Sequence, residues 1–456
     1  MVMRIFYPAK LYKEVLHIAW PLIATQASFT LMLFIDRLLL ARYSEVAIQA
    51  ALPGGILSFT LCCGFMSVAG YTSTFVAQFF GAKNRPACSR STAQGVLFTL
   101  FTAPILLLLI FPGRWLLAHA GHAPDVLANE LPYFTILMLG CVAIPLNAAI
   151  SSYFTGQGRT KITMVTTILG NVVNIALDYA LIFGHFGFPE MGIRGAAIGT
   201  IIAGFISPAI LFTVYFSKRE QHLFQTRATF GYDHRLFWRM IRFSVPAGIH
   251  LALDLASFSA FVLLTGRMGA VALASSNIAL SINTLAFMPL IGFGIATSII
   301  VGQYQGRREP ERARQAAHAA FQVALLYMCT TGALFVSIPD FFIGLFLRPD
   351  SATLAAEILP VGRYLLVILT LWGLADAGNL IYASALKGAG DTRFVMIFSL
   401  AASWFMLVPG QLVIIEWLKL GIVAAWCWTG LYVLLLALGF SVRFFQGRWK
   451  TINVIG

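Results

Sequence analysis

Apolar residues run along this chain in long unbroken stretches, and polar residues collect in the short connections between them. A stretch such as "ILSFTLCCGFMSVAG" shows neither the alternation of a half-buried strand nor the single apolar stripe of a surface helix. It is apolar all round, which suits a helix surrounded by hydrocarbon. The pattern predicts twelve membrane-crossing helices at 14–40, 49–80, 91–112, 128–155, 162–184, 194–217, 243–266, 270–303, 315–337, 355–386, 394–417 and 421–444. The longest connection, 218–242, separates two sets of six.

Composition narrows the class. The chain is 59% hydrophobic and 11% charged over 456 residues, with a mean hydropathy of +0.82. That excludes a soluble globular enzyme of this length. No P-loop or dinucleotide fingerprint is present, so an ATP-driven pump would need a second chain. The basic N-terminal segment "MVMRIFYPAKLYKE" leads into a run too long for a cleaved signal peptide. The six cysteines have no disulfide or metal spacing and read as small buried apolar side chains.

The net charge of +13 is a statement about topology. With the N-terminus inside, roughly three quarters of the 31 lysines and arginines fall in inner segments. Both termini are then cytoplasmic, and the basic residues face anionic lipid head groups rather than nucleic acid.

The two halves repeat. "WPLIATQ" at 20–26 aligns with "VPAGIHL" at 245–251, pairing Pro21 with Pro246. At the same offset "VAQFFGAKNR" at 76–85 aligns with "VGQYQGRREP" at 301–310, pairing Gln78 with Gln303 and Gly81 with Gly306. "YFTGQGRTK" at 153–161 aligns with "ALKGAGDTR" at 385–393, and the same shift pairs Asn147 with Asn379. "MGIRGAAIGT" at 191–200 aligns with "LGIVAAWCWT" at 420–429, pairing Thr200 with Thr429. Duplicated halves of like orientation are the plan of many secondary transporters.

Four acids lie inside the predicted helices: Asp36, Asp178, Asp254 and Asp376. A carboxylate at membrane depth is costly, so each is a functional candidate. Asn171, Asn174 and Asp178 share one helix face by their spacing, and that face must look at protein or water rather than lipid. Asp36 has a plainer reading, an interfacial residue balanced by Arg37 and Arg42. Against it, adjacent helical residues point about 100° apart, which suits Arg37 poorly as a partner. Asp254 and Asp376 fall near the bilayer midplane when counted from Arg242 and Lys387. His250, one turn from Asp254, reads either as a satisfied core histidine or as a proton relay. Structural hydrogen bonding is the plain alternative for each cluster.

Taken together, the first span from Pro21 to Asp36, the "QFFGAKNR" and "QYQGRRE" turns, "GNVVNIALDYALIF", "GIRGAAIGT" and "LKGAGDTR" resemble the multidrug and toxic compound extrusion (MATE) family of the MOP flippase superfamily. The resemblance covers nearly the whole chain. It implies an all-α membrane fold of twelve helices in two pseudo-symmetric six-helix lobes: an amino lobe (1–217), a cytoplasmic connection (218–242) and a carboxy lobe (243–456). It implies a monomer in the cytoplasmic (inner) membrane that exports organic cations or amphipathic drugs in exchange for H⁺ or Na⁺, without a cofactor and without enzymatic activity. Asp36, Asn171, Asn174, Asp178 and Thr200 would form the amino-lobe coupling site, with Na⁺ as one candidate occupant at Asp36, Asn174 and Asp178. Asp254 and Asp376, with His250 beside them, match the acidic pair of the NorM branch, here with aspartate in place of the usual glutamate at the first position.

Two rivals remain at this level. A flippase for lipid-linked oligosaccharide would need a cationic groove, for which Arg267 and Arg363 are the candidates. A membrane enzyme would need a convergent metal or nucleophile set, and His250 with Asp254 is the only suitably spaced pair. The glycine-bearing inner turns, Asp391, Arg393, Gln78 and Gln303 read as structural.

Overall fold

The computed structural model describes residues 7–346 and 352–456; the first six residues of the basic N-terminal segment lie outside it. Every regular element among the described residues is helical. Twelve helices are long and apolar enough to cross a membrane. Spans 1 to 6 are Ala9–Tyr43, Glu45–Gly81, Arg85–Ala118, Pro124–Gly156, Thr160–Phe183 and Ile193–Tyr215. Spans 7 to 12 are His234–Gly266, Val271–Gly306, Pro310–Ser337, Ala356–Ala389, Thr392–Trp417 and Ile422–Gln446. Each prediction from the sequence finds its helix, most with ends extended because helices continue past the hydrocarbon into the polar boundary, while spans 5 and 6 stop one and two residues short of the predicted ends.

The largest difference lies at 218–242. This segment is not one long connection. It holds a short helix, Lys218–Phe224, capped by the Ser217 hydroxyl, and the first two turns of span 7. Five of its six lysines and arginines, Lys218, Arg219, Arg235, Arg239 and Arg242, sit on those helices, and Arg227 lies in the turn between them.

The repeat is written in the backbone. Lys83 and Arg308, 225 residues apart in the paired turns, both have φ near 60°, a conformation uncommon for residues other than glycine. Each is followed by the same closure, Asn84 N–H to the Phe79 carbonyl and Glu309 N–H to the Tyr304 carbonyl, both 2.9 Å. Gly158 and Gly390 likewise both take positive φ, 80° and 101°, where a side chain would be strained. The residues after them cap spans 5 and 11.

The chain resolves into two compact units. One contains residues 24–251 with 306–308 and 454–456; the other contains 1–23, 252–305 and 309–453. The boundaries fall inside spans 1 and 7, a few residues beyond Pro21 and Pro246. Both helices continue through their prolines, although each proline removes one backbone donor. In the second unit the N-terminal end of span 1 is held by Tyr304, whose hydroxyl donates to Glu14 at 2.8 Å, and by Tyr12, which donates to Gln322.

Close helix crossings are made by small residues, as apolar surroundings favour. Gly195 of span 6 leaves no room for a Cβ against the Leu181 backbone of span 5, and Gly388 of span 10 none against the Ser298 backbone of span 8. The first crossing fixes the two helices that carry Asp178 and Thr200. Four cysteines are buried as expected; Cys329 and Cys427 are exposed on helix surfaces, where the surrounding medium would be lipid.

Candidate functional site

In the unit containing residues 24–251, spans 1, 4, 5 and 6 converge on one acidic cluster. Asp178 is completely buried, Asn174 is 1% exposed and Asn171 8% exposed, so the polar face read from their spacing points into protein. Asn171 donates to the Ser28 hydroxyl of span 1 at 2.9 Å. Asp36 lies on the same span, within electrostatic reach of Asp178. Tyr133 of span 4 is within reach of both carboxylates.

The satisfaction of these groups is incomplete. Both carboxylate oxygens of Asp178, both polar atoms of the Asn174 amide and Oδ1 of Asp36 are buried without a hydrogen-bond partner that meets normal geometry. Buried polar groups in proteins are nearly always paired, and each exception needs a reason. The Asn174 amide lies beside Asp178 as a poorly aligned donor, and oxygens with so few donors fit a site for a proton or for a hard cation, which prefers oxygen ligands. Asp36 forms no ion pair among the described residues, and Arg37 beside it is exposed. Arg37 remains within electrostatic reach of Asp36.

Thr200 is half-buried on span 6. Its hydroxyl donates to the Ala196 carbonyl at 2.9 Å, a bond within its own helix. The residue of span 6 that touches Asp178 is its neighbour Gly199, where a Cβ would collide with the carboxylate Oδ1. Sequence reasoning missed Gly199 and Tyr133. Tyr133 carried a weak signal, a polar-tipped aromatic inside the apolar run "LPYFTILML".

The other unit holds the second cluster, built from spans 7, 10 and 12. Asp376 is 7% exposed and accepts a hydrogen bond from the Asn379 amide at 2.9 Å, one turn on. Asp254 is within its electrostatic reach, yet Asp254 itself is exposed. One acid is thus packed into the helices and the other opens onto accessible space. The Tyr432 hydroxyl lies beside Asp254 and near Ser403, within a wide π turn, Ser403–Leu407, of span 11. Such turns are frequent at functional sites.

His250 is half-buried, one turn from Asp254 on span 7. Lys387, read from sequence as an inner-boundary residue, lies inside the helix of span 10, half-buried and within electrostatic reach of Asp254. Asn379 was visible beforehand only as the repeat partner of Asn147. Lys387 and Tyr432 join through tertiary packing alone.

The candidate groove arginines are engaged elsewhere. Arg267 pairs with Glu416 at 2.8 Å, and Arg363 makes a two-pronged contact with Asp340 at 2.6 and 2.7 Å. The Arg363 guanidinium holds the Asp340 carboxyl below its usual range. Asp391 is ion-paired with Arg443 at 2.8 Å, in keeping with a structural role, and Gln78 and Gln303 are both buried.

Comparison with known proteins gives one answer. The MatE family pattern matches residues 21–180 and 246–412, and the two matched segments begin at Pro21 and Pro246, the pair that anchors the internal repeat. The chain is 30% identical to multidrug resistance protein PmpM of Pseudomonas aeruginosa, over 92% of this chain and 88% of that one. It is 26% identical to a probable multidrug resistance protein NorM of Thermotoga maritima, over 97% and 94% of the two chains. Its fold matches the outward-facing structure of a multidrug resistance MATE family transporter of the MOP superfamily, with a TM-score of 0.87, 17% identity and 97% coverage of both chains.

Proposed function

Because the chain belongs to the MatE family of multidrug transporters, we infer that it is a multi-pass inner-membrane exporter that exchanges organic cations or amphipathic drugs for H⁺ or Na⁺. It is a transporter and not an enzyme. Both termini face the cytoplasm on the charge pattern. It works as a monomer in contact with anionic lipid.

The observation that carries this reading is the set of buried oxygens at Asp36, Asn174 and Asp178, which have no well-aligned donor beyond the Asn174 amide beside Asp178. Two carboxylates in one poorly hydrated pocket cannot both stay ionised without a cation. A proton or Na⁺ entering from outside satisfies them, and an inside-negative potential contributes about 2.3 kcal/mol per charge per 100 mV to inward movement. Asn171, Asn174 and Asp178 on a single rigid helix face fix the ligand oxygens. Asp36 on span 1 links ion loading to the helix that contains Pro21.

The carboxy-lobe pair suits the other half of the exchange. Exposed Asp254 can meet a bulky organic cation directly, while buried Asp376 is held by Asn379. Export then requires ion and drug to favour different states of the protein, since equal affinity for both states shifts nothing.

The deciding experiment is export of ethidium from loaded proteoliposomes with the proton and Na⁺ gradients imposed separately. Gradient-driven efflux by either ion supports the assignment and identifies the ion. Efflux that neither gradient accelerates overturns it.

A further inference from the structure

A fifth membrane-depth acid lies outside both clusters. Glu130 of span 4 is completely buried, although the sequence places it at a helix end. Its Oε2 is 2.7 Å from Nδ1 of His122, in the connection between spans 3 and 4. Its Oε1 is buried with no partner. His122 retains 31% of its side-chain exposure.

The pair lies beside the amino-lobe acids at the same depth, with His122 reaching the surface. Tyr133 is one turn on from Glu130, and Gly54 of span 2 faces both residues: a Cβ there would lie 3.2 Å from the Tyr133 ring and 3.6 Å from Glu130 Cγ. Tyr133 in turn is within electrostatic reach of Asp36 and Asp178. Asp36, Asp178 and Glu130 are seven, five and six residues from the same ends of their spans, about 8–11 Å along the helices. On the charge pattern that end is the outer one.

We propose that His122 and Glu130 are the outer proton entry of the amino lobe, passing protons through Tyr133 to the Asp36–Asp178 pair. This rests on the antiport reading and specifies its ion path. Water protonates Nε2 of His122, and the Nδ1 proton passes to Glu130 Oε2. Glu130 Oε1 has no direct hydrogen-bond partner, so the neutral Glu130 carboxyl gives its proton across intervening water to the Tyr133 oxygen as the Tyr133 hydroxyl gives its own, likewise across water, to Asp178 or Asp36. One proton moves inward, Glu130 and Tyr133 are restored, and His122 is left in its other tautomer, which exchange with water resets.

The electrostatic surroundings are sparse enough for these groups to set the behaviour. From span 1 come Asp36 and Arg37, and from span 5 Asp178. Span 2 presents Gly54, and its single formal charge, Glu45, is exposed more than two turns away. The charges on the nearby parts of spans 3, 4 and 6 are Arg114, bonded to Thr135, Asp125 and Arg194, all exposed. His119 stacks on Trp115.

The test is protonation kinetics in proteoliposomes. An external acid jump is followed by the infrared carboxyl band, for the parent, His122→Gln, Glu130→Gln and Glu130→Asp. The expected result is at least about tenfold slower loading of the remaining carboxyls in the first two variants, partial recovery in Glu130→Asp, and tetraphenylphosphonium affinity within twofold of the parent. His122→Gln leaves Glu130 in place, so it decides the matter if Glu130→Gln does not fold. Parent-like loading in His122→Gln, or a parent with no acid-responsive carboxyl, overturns the route. The readout does not require transport: a protein that fails to export ethidium removes the antiport reading, while the loading rates still judge the route.

Discussion

Arg159 and Asp391 occupy the same place in the two halves with opposite charge. Each follows a positive-φ glycine, and each N–H closes onto a carbonyl five residues back, at 2.9 and 2.8 Å. Arg159 pairs with buried Glu220 at 2.7 Å, and Asp391 with Arg443 at 2.8 Å. The duplicated turn keeps its backbone while the polarity of its ion pair is inverted.

Removing one member of a buried pair leaves the other uncompensated. Glu220 also accepts from the buried Tyr153 hydroxyl at 2.7 Å, so Glu220→Gln disrupts two bonds on one carboxylate. It is expected to destabilise by about 3 kcal/mol, and Asp391→Asn by less, because its partner can still bond the amide. Thermal unfolding in detergent checks this. Drug affinity should stay at the parental value in both variants, and a loss of affinity without a loss of stability would show that these turns serve transport directly.

The twelve helices and the repeat were legible because apolar runs and turn motifs are local properties of the chain. The paired φ angles at Lys83 and Arg308 show how far that reading reaches. The acids themselves were also legible, since a carboxylate in an apolar run stands out. Gly199, Tyr133 and Tyr432 were not, because nothing in a glycine or tyrosine of an apolar helix tells which neighbour it will face. Glu130 was hidden for a different reason: its position near a predicted helix end suggested water, whereas spans 2 and 4 bury it. Thr200 was drawn from the repeat and the family resemblance, and its hydroxyl bonds within its own helix.

Gly199 supplies a test of packing against the acid. A methyl group there would press on Asp178 Oδ1 and on the Leu177 side chain. Gly199→Ala is expected to cost about 1–3 kcal/mol and to displace Asp178 from its place opposite Asp36. Ion-driven ethidium efflux should fall several-fold, while tetraphenylphosphonium binding in detergent changes little. Efflux at the parental rate would show that Asp178 tolerates displacement and needs no fixed position.

The carboxy-lobe pair can be dissected through Asn379. Asp376→Asn removes the charge and is expected to weaken cation binding or its coupling by tenfold or more. Asn379→Ala keeps the charge and removes the hydrogen bond at 2.9 Å, a loss of about 1.5–3 kcal/mol for a bond to a charged group. Its effect should follow that of Asp376→Asn in the same direction at no greater size. Equilibrium binding of tetraphenylphosphonium measures both. An Asp376→Asn variant with full affinity and full transport would remove that residue from the site.

Asp36 carries the sharpest prediction, because its span is one of the two long helices in which the unit boundaries fall. Its Oδ1 is buried without a partner, Asp178 opposite repels it when both are ionised, and Arg37 is turned outward. Asp36→Asn preserves shape and holds the site neutral, as though permanently loaded. The protein should fold with parental stability, and ion-driven efflux should be lost by at least about tenfold, since no ion gradient can then change the state of span 1. The dependence of drug affinity on external pH or Na⁺ should flatten as well. Both measurements are made on the same purified variant: stability by thermal unfolding, and affinity as pH and Na⁺ are varied in turn. Parental transport with the parental ion dependence would mean that Asp36 does no more than balance Arg37 at the membrane boundary.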